Sequence, residues 1–507
     1  MAIKVTEKYL NKILNARVYD VAKETPLEDA HALSARIGNR VIIKREDLQP
    51  VFSFKIRGAY NKLVALSDEE KAKGVIAASA GNHAQGVALA AKKLGVKATI
   101  VMPETTPEIK VQSVAKWGAE IILHGDDFQE AYERAMNIQD NRDLTFVHPY
   151  DDPDVIAGQG TIGMEILRQH MSDIHAIFIP VGGGGLLAGI AAYVKAVRPE
   201  IMIIGVEPND AASLSQSLKE NRRVILDQVG IFADGVAVRQ VGEETFRIAQ
   251  KVVDDMVLCS VDEICAAIKD IYDDTRSITE PAGALALAGL KKYAAEHGLE
   301  DKTLIAINSG ANVNFDRLRH ISERSEIGEN RESLFAVTIP EKPGSFRKFC
   351  NVLGKRSVTE FNYRYADDHN AQIFLGLRIS GGGAESKAIM NALSDNGYDV
   401  LDLTDNDMAK LHIRYMVGGR LPDLQDEVVY RFEFPERPGA LLNFLNQMGE
   451  RWNISLFHYR NHGAAFGRVL CGMQVPKSDT AQLTQFLEKL GYNYWPETEN
   501  PVYRAFL

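Results

Sequence analysis

The stretch of the chain that decides its fold reads Ile177-Phe178-Ile179-Pro180-Val181-Gly182-Gly183-Gly184-Gly185-Leu186. The apolar run at its start predicts a buried strand, and the apolar residues that continue as far as Val197 predict a helix. The glycines between them allow a tight turn whose backbone N–H groups can approach a ligand, and the helix N-terminus favours an anion there. The sequence therefore predicts a strand-to-helix unit with an anion site at its turn.

Short apolar runs alternate with helical patterns from about residue 37 to residue 310. The predicted strands are 41–44, 74–78, 98–102, 121–123, 145–147, 177–181, 202–206 and 304–307. Nearly continuous apolar strands that alternate with helices indicate a parallel sheet covered on both faces. We therefore expect an α/β fold in which ligands bind beyond the carboxyl ends of the strands.

The glycine-rich turn has three interpretations. A phosphate is the natural anion for such a turn. Residues 183–188, however, also satisfy the G-x-G-x-x-A pattern of dinucleotide-binding proteins, and Glu207 ends the next predicted strand about twenty residues on, where such proteins carry an acid. The third interpretation is a tight turn without a ligand.

A lysine stands at the start of a predicted helix, in the hexapeptide Ser53-Phe54-Lys55-Ile56-Arg57-Gly58. A cation is unfavourable there because the helix dipole places partial positive charge at that end. The same field, together with burial, favours the neutral amine, which is the nucleophilic form that makes a Schiff base. Since most lysines are surface residues, a solvated lysine near a helix start is the alternative interpretation.

Two further motifs follow predicted strands, namely Ser79-Ala80-Gly81-Asn82-His83-Ala84-Gln85-Gly86 and Asn308-Ser309-Gly310-Ala311-Asn312. The first motif opens a helix predicted over 82–94. It suits either simple N-capping by Ser79 or Asn82 or a second anion site for a carboxylate, with the Asn82 amide free to donate to a ring oxygen. His83 alone is more typical of a structural histidine, and Ser309 alone of a turn residue.

Composition excludes several classes of function. The 507 residues are too many for one hydrophobic core, and the net charge of −10 disfavours a nucleic-acid binder. The 4 cysteines form no C-x-x-C pair, and the 12 histidines include no H-E-x-x-H, so a metal site built by the protein has no support. Because the N-terminus lacks an apolar core and no apolar segment approaches about 18 residues, we expect a cytoplasmic protein without a membrane span.

An internal repeat follows the charged stretch 322–332. Its copies begin Val337-Thr338-Ile339-Pro340-Glu341-Lys342-Pro343-Gly344-Ser345-Phe346 and Phe432-Glu433-Phe434-Pro435-Glu436-Arg437-Pro438-Gly439-Ala440-Leu441. Each copy ends on a Tyr-Arg pair, and the offset between copies is 95 residues at Pro340 and Pro435 and 96 at Arg364 and Arg460. We therefore predict two copies of a small α+β module of roughly 70–80 residues.

The motifs S-F-K-x-R-G, S-A-G-N-H and V-G-G-G-G-L, with the late serine at 309, resemble those of the β-family (fold type II) of pyridoxal-phosphate enzymes. Over essentially its whole length, including the double repeat, the chain resembles the biosynthetic threonine dehydratases of that family. The resemblance implies an α/β fold type II catalytic domain with mainly parallel sheets, followed by two tandem α+β ACT-like regulatory modules. It implies pyridoxal 5′-phosphate as the cofactor. The implied reaction is the dehydration and deamination of L-threonine to 2-oxobutanoate and ammonia, the committed step of isoleucine synthesis.

The resemblance also implies a role for each motif. Lys55 would carry the cofactor as a Schiff base and act as a base, Asn82 would bind the ring hydroxyl oxygen, and Ser309 would meet the pyridine nitrogen. The phosphate would be bound by the backbone amides of Gly182, Gly183, Gly184, Gly185 and Leu186. The substrate carboxylate would be received by Ser79, Ala80, Gly81, Asn82 and His83. Glu280 is a weaker candidate near the ring, with a structural acid as the alternative.

The repeats carry Pro-Gly turns at 341–344 and 436–439, which precede helix starts and suit an amino-acid carboxylate. The resemblance implies isoleucine as feedback inhibitor, valine as its antagonist and a homotetramer, whereas repeats that serve only oligomerisation are the alternative. We expect a catalytic domain over 1–325, a linker over 326–332, ACT-like modules over 333–405 and 428–507, and a second linker over 406–427. The alternatives for the whole chain are a serine dehydratase, an NAD(P)-dependent oxidoreductase and a non-catalytic amino-acid sensor.

Overall fold

The computed structural model describes residues 2–329, 331–340, 345–354, 356, 358–365, 370–415, 425–435, 440–449, 451–460 and 465–506. The chain divides into two compact units, Met1–Ser325 and Glu326–Leu507. Among the described residues, no helix combines the length and the apolar character needed to cross a membrane.

The first unit alternates strands and helices along most of its length. Its helices are α1 (Ala2–Leu14), α2 (His31–Ile37), α3 (Lys55–Ala65), α4 (Asp68–Lys73), α5 (Asn82–Leu94), α6 (Glu108–Ala115), α7 (Phe128–Arg142), α8 (Pro153–Gln169), α9 (Gly185–Val197), α10 (Ser213–Glu220), α11 (Glu243–Val252), α12 (Val261–Thr275), α13 (Pro281–Glu296) and α14 (Arg317–Gly328). Its strands are β1 (Leu27–Asp29), β2 (Arg40–Arg45), β3 (Val75–Ala78), β4 (Ala98–Met102), β5 (Glu120–Leu123), β6 (Thr145–Phe146), β7 (Ala176–Pro180), β8 (Met202–Pro208), β9 (Asp255–Cys259) and β10 (Thr303–Asn308). Short 3₁₀ helices cover Glu46–Leu48, Asn209–Ala211 and Asp234–Val236.

Two sheets organise this unit. One has six strands in the order β1-β2-β10-β7-β8-β9, with β1 antiparallel and the rest parallel, and the other has four parallel strands in the order β5-β4-β3-β6. Alternate residues of β7 bury on opposite faces of the first sheet: Ile177 and Ile179 pack in one core, and Ala176 and Phe178 in another. Burial on both faces is the physical reason for the continuous apolar runs in the sequence. The predicted α/β fold with mainly parallel sheets is confirmed.

The second unit contains β11 (Glu332–Pro340), α15 (Ser345–Leu353), β12 (Val358–Tyr365), β13 (Asn370–Arg378), α16 (Gly382–Asp395), β14 (Asp399–Asp402), α17 (Asp407–Leu411), β15 (Glu427–Pro435), α18 (Ala440–Met448), β16 (Asn453–Arg460), β17 (Phe466–Gln474), α19 (Thr480–Leu490), β18 (Tyr494–Pro496) and α20 (Pro501–Phe506). Further 3₁₀ helices cover Ile413–Tyr415 and Lys477–Asp479. Two antiparallel sheets result, in the orders β12-β13-β11-β14 and β16-β17-β15-β18. The equal strand orders confirm the predicted pair of α+β modules.

The repeat extends to fine detail. The edge strands β12 and β16 change register at corresponding places, between Val358 and Glu360 and between Ile454 and Leu456. The stretches expected as linkers are partly structured, since α14 continues to Gly328 and α17 lies within 406–427. Both Pro-Gly turns, 341–344 and 436–439, lie outside the described residues.

Candidate active site

Lys55 is the first residue of α3, as the sequence predicts. Its side chain is half-buried, and Nζ donates a hydrogen bond to the carbonyl oxygen of Pro149 at 2.8 Å. Burial lowers the pKa of Lys55 to about 8, although the nearby Glu280 carboxylate opposes the shift. A lysine of this kind reaches the nucleophilic neutral form more readily than a solvated one.

The carboxyl end of β10 brings Ser309 against the segment that carries Lys55. The Phe54 N–H donates to the Ser309 carbonyl oxygen at 3.2 Å, and Ser53 forms a β-bridge with Gly310. The Ser309 hydroxyl is buried and donates to the Ala282 carbonyl oxygen at 3.2 Å. The buried Ser53 hydroxyl has no hydrogen-bond partner within the described part of the chain. Two hydroxyls and one amine therefore collect at one edge of the six-stranded sheet.

Asn82 starts α5 but does not cap it, because the N-cap position belongs to Gly81 and no side-chain cap forms. The Asn82 side chain instead joins the other elements of the site. Its Nδ2 donates to Glu280 Oε1 at 2.6 Å, and its Oδ1 accepts from Asn312 Nδ2 at 2.6 Å. Burial and the neighbouring Asp234 raise the pKa of Glu280 to about 7, while its hydrogen bond from Asn82 acts in the opposite direction. Glu280 therefore lies in direct contact with Asn82, within the candidate site.

The remaining residues of the loop 79–83 lie at the carboxyl end of β3. Ser79 Oγ accepts a hydrogen bond from the Gly81 N–H at 3.3 Å. His83 is buried, and its Nε2 donates to the Val147 carbonyl oxygen at 2.8 Å. Burial and the charge of Lys55 lower the pKa of His83 to about 3, so the ring stays neutral and structural.

The tetraglycine turn follows β7 and opens α9 at Gly185. Gly184 adopts a left-handed conformation with φ of +91°, which side chains rarely tolerate. A Cβ on Gly183 would lie 2.2 Å from the Tyr150 ring, and the Gly183 carbonyl oxygen accepts from Thr245 Oγ1 at 2.7 Å. The Thr245 hydroxyl therefore fixes the turn through a carbonyl oxygen and not through an N–H group. The first N–H groups of α9 lack intrahelical acceptors, as in every helix, and suit a phosphate.

Glu207 decides against the dinucleotide interpretation. Its carboxylate is fully buried and accepts hydrogen bonds from the Leu214 and Ser215 N–H groups, each at 2.8 Å. It therefore holds the start of α10, and burial raises its pKa to about 8 despite those bonds. Because the carboxyl group is fully buried and already holds these two backbone donors, it is not exposed to a ribose, which argues against the dinucleotide interpretation.

The structure links Asn82 with Glu280 and the Lys55 segment with Ser309, and it places three residues nearby that sequence reasoning missed. These are His148, Pro149 and Tyr150, which directly follow β6 and its neighbour Val147. His148 Nδ1 accepts from the Asp151 N–H at 2.8 Å, and burial lowers its pKa to about 4. Their place after a strand of a parallel sheet was the signal that could have identified them.

Residues of this kind fit pyridoxal phosphate: an amine with a lowered pKa, an amide, a buried hydroxyl and a glycine turn at a helix N-terminus. The model of a pyridoxal-phosphate-dependent enzyme family matches residues 18–310, and the model of the C-terminal regulatory domain of threonine dehydratase matches 323–413 and 418–507.

Relatives match over almost the whole chain. The biosynthetic L-threonine dehydratase of Burkholderia multivorans is 58% identical over 98% of this chain and 99% of its own. That of Escherichia coli is 53% identical over 99% of this chain and 97% of its own. A solved structure of processed threonine deaminase isoform 2 from Solanum lycopersicum has a TM-score of 0.62 and 53% identity, covering 63% of this chain and 93% of that one. The chain belongs to the biosynthetic threonine dehydratase family of pyridoxal-phosphate-dependent enzymes.

Proposed function

We propose that this protein converts L-threonine to 2-oxobutanoate and ammonia with pyridoxal phosphate. The observation that carries the proposal is the Lys55 amine, which has a pKa lowered to about 8 and lies beside the Ser309 segment. Near full-length relatives that are named threonine dehydratases support threonine as the substrate over serine. The occupied Glu207 carboxylate argues against an NAD(P)-dependent oxidoreductase.

Each predicted residue has a task in this reaction. When bound, pyridoxal phosphate supplies a ring that accepts electrons from the substrate Cα. Lys55 would hold the cofactor covalently, and its free amine would act as the base that takes the proton from the substrate Cα. Asn82 Nδ2 would donate to the ring hydroxyl oxygen, and the Ser309 hydroxyl, which donates to the Ala282 carbonyl oxygen here, would turn to the pyridine nitrogen. The phosphate would be bound by the N–H groups of Gly182, Gly183, Gly184, Gly185 and Leu186.

The loop 79–83 receives the substrate carboxylate through its N–H groups and the Asn82 amide. Because Ser309 is neutral, it would not enforce a charged pyridine nitrogen as a carboxylate does, which would favour loss of the β-hydroxyl over transamination. Threonine loses its Cα proton and β-hydroxyl as water. Water then hydrolyses the released enamine to 2-oxobutanoate and ammonia, so atoms balance. Glu280 contacts Asn82 and has a pKa raised to about 7, so it would be able to take up or release a proton beside the bound substrate near neutral pH.

We further propose that the second unit binds isoleucine as inhibitor and valine as antagonist, and that the cytoplasmic enzyme is a homotetramer. The match to a threonine dehydratase regulatory domain supports the regulatory role. The proposed bounds are 1–325 for the catalytic domain, 333–405 and 428–507 for the two ACT-like modules, and 326–332 and 406–427 for the segments between them.

Reductive labelling tests the role of Lys55. The purified protein should absorb visible light, and borohydride should bleach it and fix the cofactor on a peptide that contains Lys55. Lys55→Ala should lose turnover of threonine, whereas Lys62→Ala on the same helix, whose partner is Asp152 at 2.7 Å, should keep it. A label on another lysine, or threonine turnover at the parent rate in Lys55→Ala, would refute the assignment.

Truncation tests the regulatory unit. A chain that ends at Ser325 should turn over threonine without responding to isoleucine. A second solved threonine deaminase supports this design. The match covers 98% of that chain but only 62% of this one. Sedimentation should accompany the assay, since the truncation also tests where the tetramer contacts lie. Isoleucine inhibition of the truncated enzyme would place the effector site in the catalytic unit.

A further inference from the structure

A short segment lies against the site without being part of any predicted motif. We call residues 232–236, which include the 3₁₀ helix Asp234–Val236, the strap. A Cβ on Gly182 would lie 2.9 Å from Val236 Cα. A Cβ on Gly235 would lie 3.7 Å from Glu280 Oε1 and 4.0 Å from Asn82 Nδ2. The strap therefore lies against the tetraglycine turn and close to the side chains of Glu280 and Asn82.

One carboxylate fastens the strap on two sides. Asp234 Oδ2 accepts from Lys110 Nζ at 2.6 Å, and Oδ1 accepts from Arg317 Nη1 at 3.3 Å. Arg317 Nη1 also donates to the Phe232 carbonyl oxygen at 3.0 Å. Lys110 lies on α6, between strands β4 and β5 of the four-stranded sheet, whereas Arg317 follows β10 of the six-stranded sheet. Asp234 thus links helix α6, which follows a strand of the four-stranded sheet, to helix α14, which follows a strand of the six-stranded sheet.

The second cation begins a helix that continues into the other unit. Helix α14 runs from Arg317 to Gly328 and so crosses the boundary between Ser325 and Glu326. In its first turn the His320 ring lies 5.4 Å from the Phe232 ring. In its last turn Ile327 is buried in a core of the second unit, together with Leu334, Phe374, Phe506 and others. One continuous helix therefore ends in the regulatory core and begins at the strap.

We propose that the strap is the element through which effector binding in the second unit changes the catalytic site, with Asp234 as the positioning residue that holds it closed. This inference rests on the proposed threonine dehydratase activity and its regulation by isoleucine. A shift of α14 moves Arg317 and removes one of the two bonds on Asp234. The strap then loosens over the phosphate turn and over Asn82, and threonine binds less tightly. Since coupling is reciprocal, threonine bound under a closed strap weakens isoleucine binding by the same factor.

Asp234→Asn keeps the shape of the side chain and removes its charge. Asp254→Asn is the matched control, because the Lys195–Asp254 pair is 2.7 Å long with side-chain exposures of 14% and 35%, against 20% and 37% for Lys110 and Asp234. Asp254 precedes β9, at the sheet edge opposite the site. We expect Asp234→Asn to raise the KM for threonine about fivefold to tenfold, with kcat within about twofold. We expect it to reduce the effect of isoleucine on that KM by a similar factor, and Asp254→Asn to match the wild type.

Hydrogen exchange gives a readout that does not depend on turnover. Amides of the strap should exchange faster in the wild-type holoenzyme when isoleucine is added, and equally fast in Asp234→Asn without it. Arg317→Met should reproduce Asp234→Asn, which guards against a folding defect in either variant. Asp234→Asn with the KM and isoleucine response of the wild type, or strap exchange unchanged by isoleucine, overturns the inference while threonine turnover still supports the function. A wild type without threonine turnover refutes the proposed function instead, and strap exchange in Asp234→Asn then still decides whether Asp234 holds the strap.

Discussion

Arg57, two residues beyond Lys55, offers a test of how strongly buried ion pairs stabilise the first unit. Its guanidinium is fully buried and forms two bidentate pairs. Nε and Nη2 donate to Glu46 at 2.8 Å each, and Nη1 and Nη2 donate to Glu165 at 2.5 and 3.0 Å. All three side chains have 0% exposure. Lys44, also fully buried, contributes a second cation at 2.7 Å from Glu165. The network therefore contains two cations and two anions, all of them buried.

Arg57→Met keeps most of the apolar volume and leaves two buried carboxylates with one cation. Breaking a buried pair by removing one partner costs about 3–5 kcal/mol, because the remaining charge stays desolvated. A unit of 325 residues unfolds with an entropy of about 0.7 kcal/mol/K near 60 °C, so this cost corresponds to a fall in melting temperature of about 4–7 °C. Arg40→Met is the matched control. Arg40 pairs with Asp29 through two bonds of 2.8 and 3.1 Å but is 52% exposed, so its loss should cost at most about 1 kcal/mol.

The assay is thermal unfolding of the holoenzyme, followed by loss of the visible absorbance of the cofactor and by circular dichroism. Arg57→Lys should fall between the wild type and Arg57→Met, because it keeps the charge and loses the bidentate geometry. If Arg57→Met and Arg40→Met melt within about 1 °C of each other, burial does not set the cost and the argument fails. The carboxylates would then have taken up protons at little expense, contrary to the lowered pKa of Glu46, which the guanidinium of Arg57 maintains against strong desolvation.

Two further predictions follow from single contacts. Gly183→Ala should release pyridoxal phosphate on dialysis and lower stability by about 1–3 kcal/mol, because the new Cβ would lie 2.2 Å from the Tyr150 ring; unchanged cofactor content would contradict this. Glu207→Gln should flatten the pH dependence of melting. Since burial raises the pKa of Glu207 to about 8, the native state retains a proton that the unfolded chain releases near pH 4.5, and wild-type stability falls as pH rises between these values. Equal slopes for both proteins between about pH 5 and pH 8 would count against it.

Much of the catalytic unit was predictable because its signals are local. Continuous apolar runs marked all strands of the two mainly parallel sheets except β1 and β9, and the helix predicted over 82–94 has those bounds in the structure. The strand β9 was not predicted, since it begins with an exposed aspartate and its next residues alternate between partly and fully buried positions. The repeat in the second unit was predictable from its offset, whereas α17, between the two modules, follows no repeat and was missed.

The sequence predicts which residues form the candidate site, but it does not predict the contacts that their side chains make. Position at a strand end predicts at which edge of the sheet a residue lies, but it does not predict which residue its side chain contacts. Asn82 was a good capping residue by type, yet it bonds Glu280 and Asn312, which are 198 and 230 residues away in the chain. Glu207 likewise matched a dinucleotide pattern in spacing, and its burial and its bonds to the start of α10 argue against that role.

The first turn of α3 contains two cations, Lys55 and Arg57, so position at the helix N-terminus does not by itself distinguish Lys55. The helix dipole disfavours a cation at Lys55, but it disfavours Arg57 in the same turn as well. The two differ in their partners. Arg57 faces two carboxylates, which raise its pKa and keep it charged, whereas Lys55 has a carbonyl oxygen at 2.8 Å and only the Glu280 carboxylate to favour its charge. Because the pKa of Glu280 is itself raised to about 7, that support weakens as Glu280 takes up a proton. Burial without a committed counterion, rather than position in the helix, therefore lowers the pKa of Lys55 and distinguishes it from Arg57.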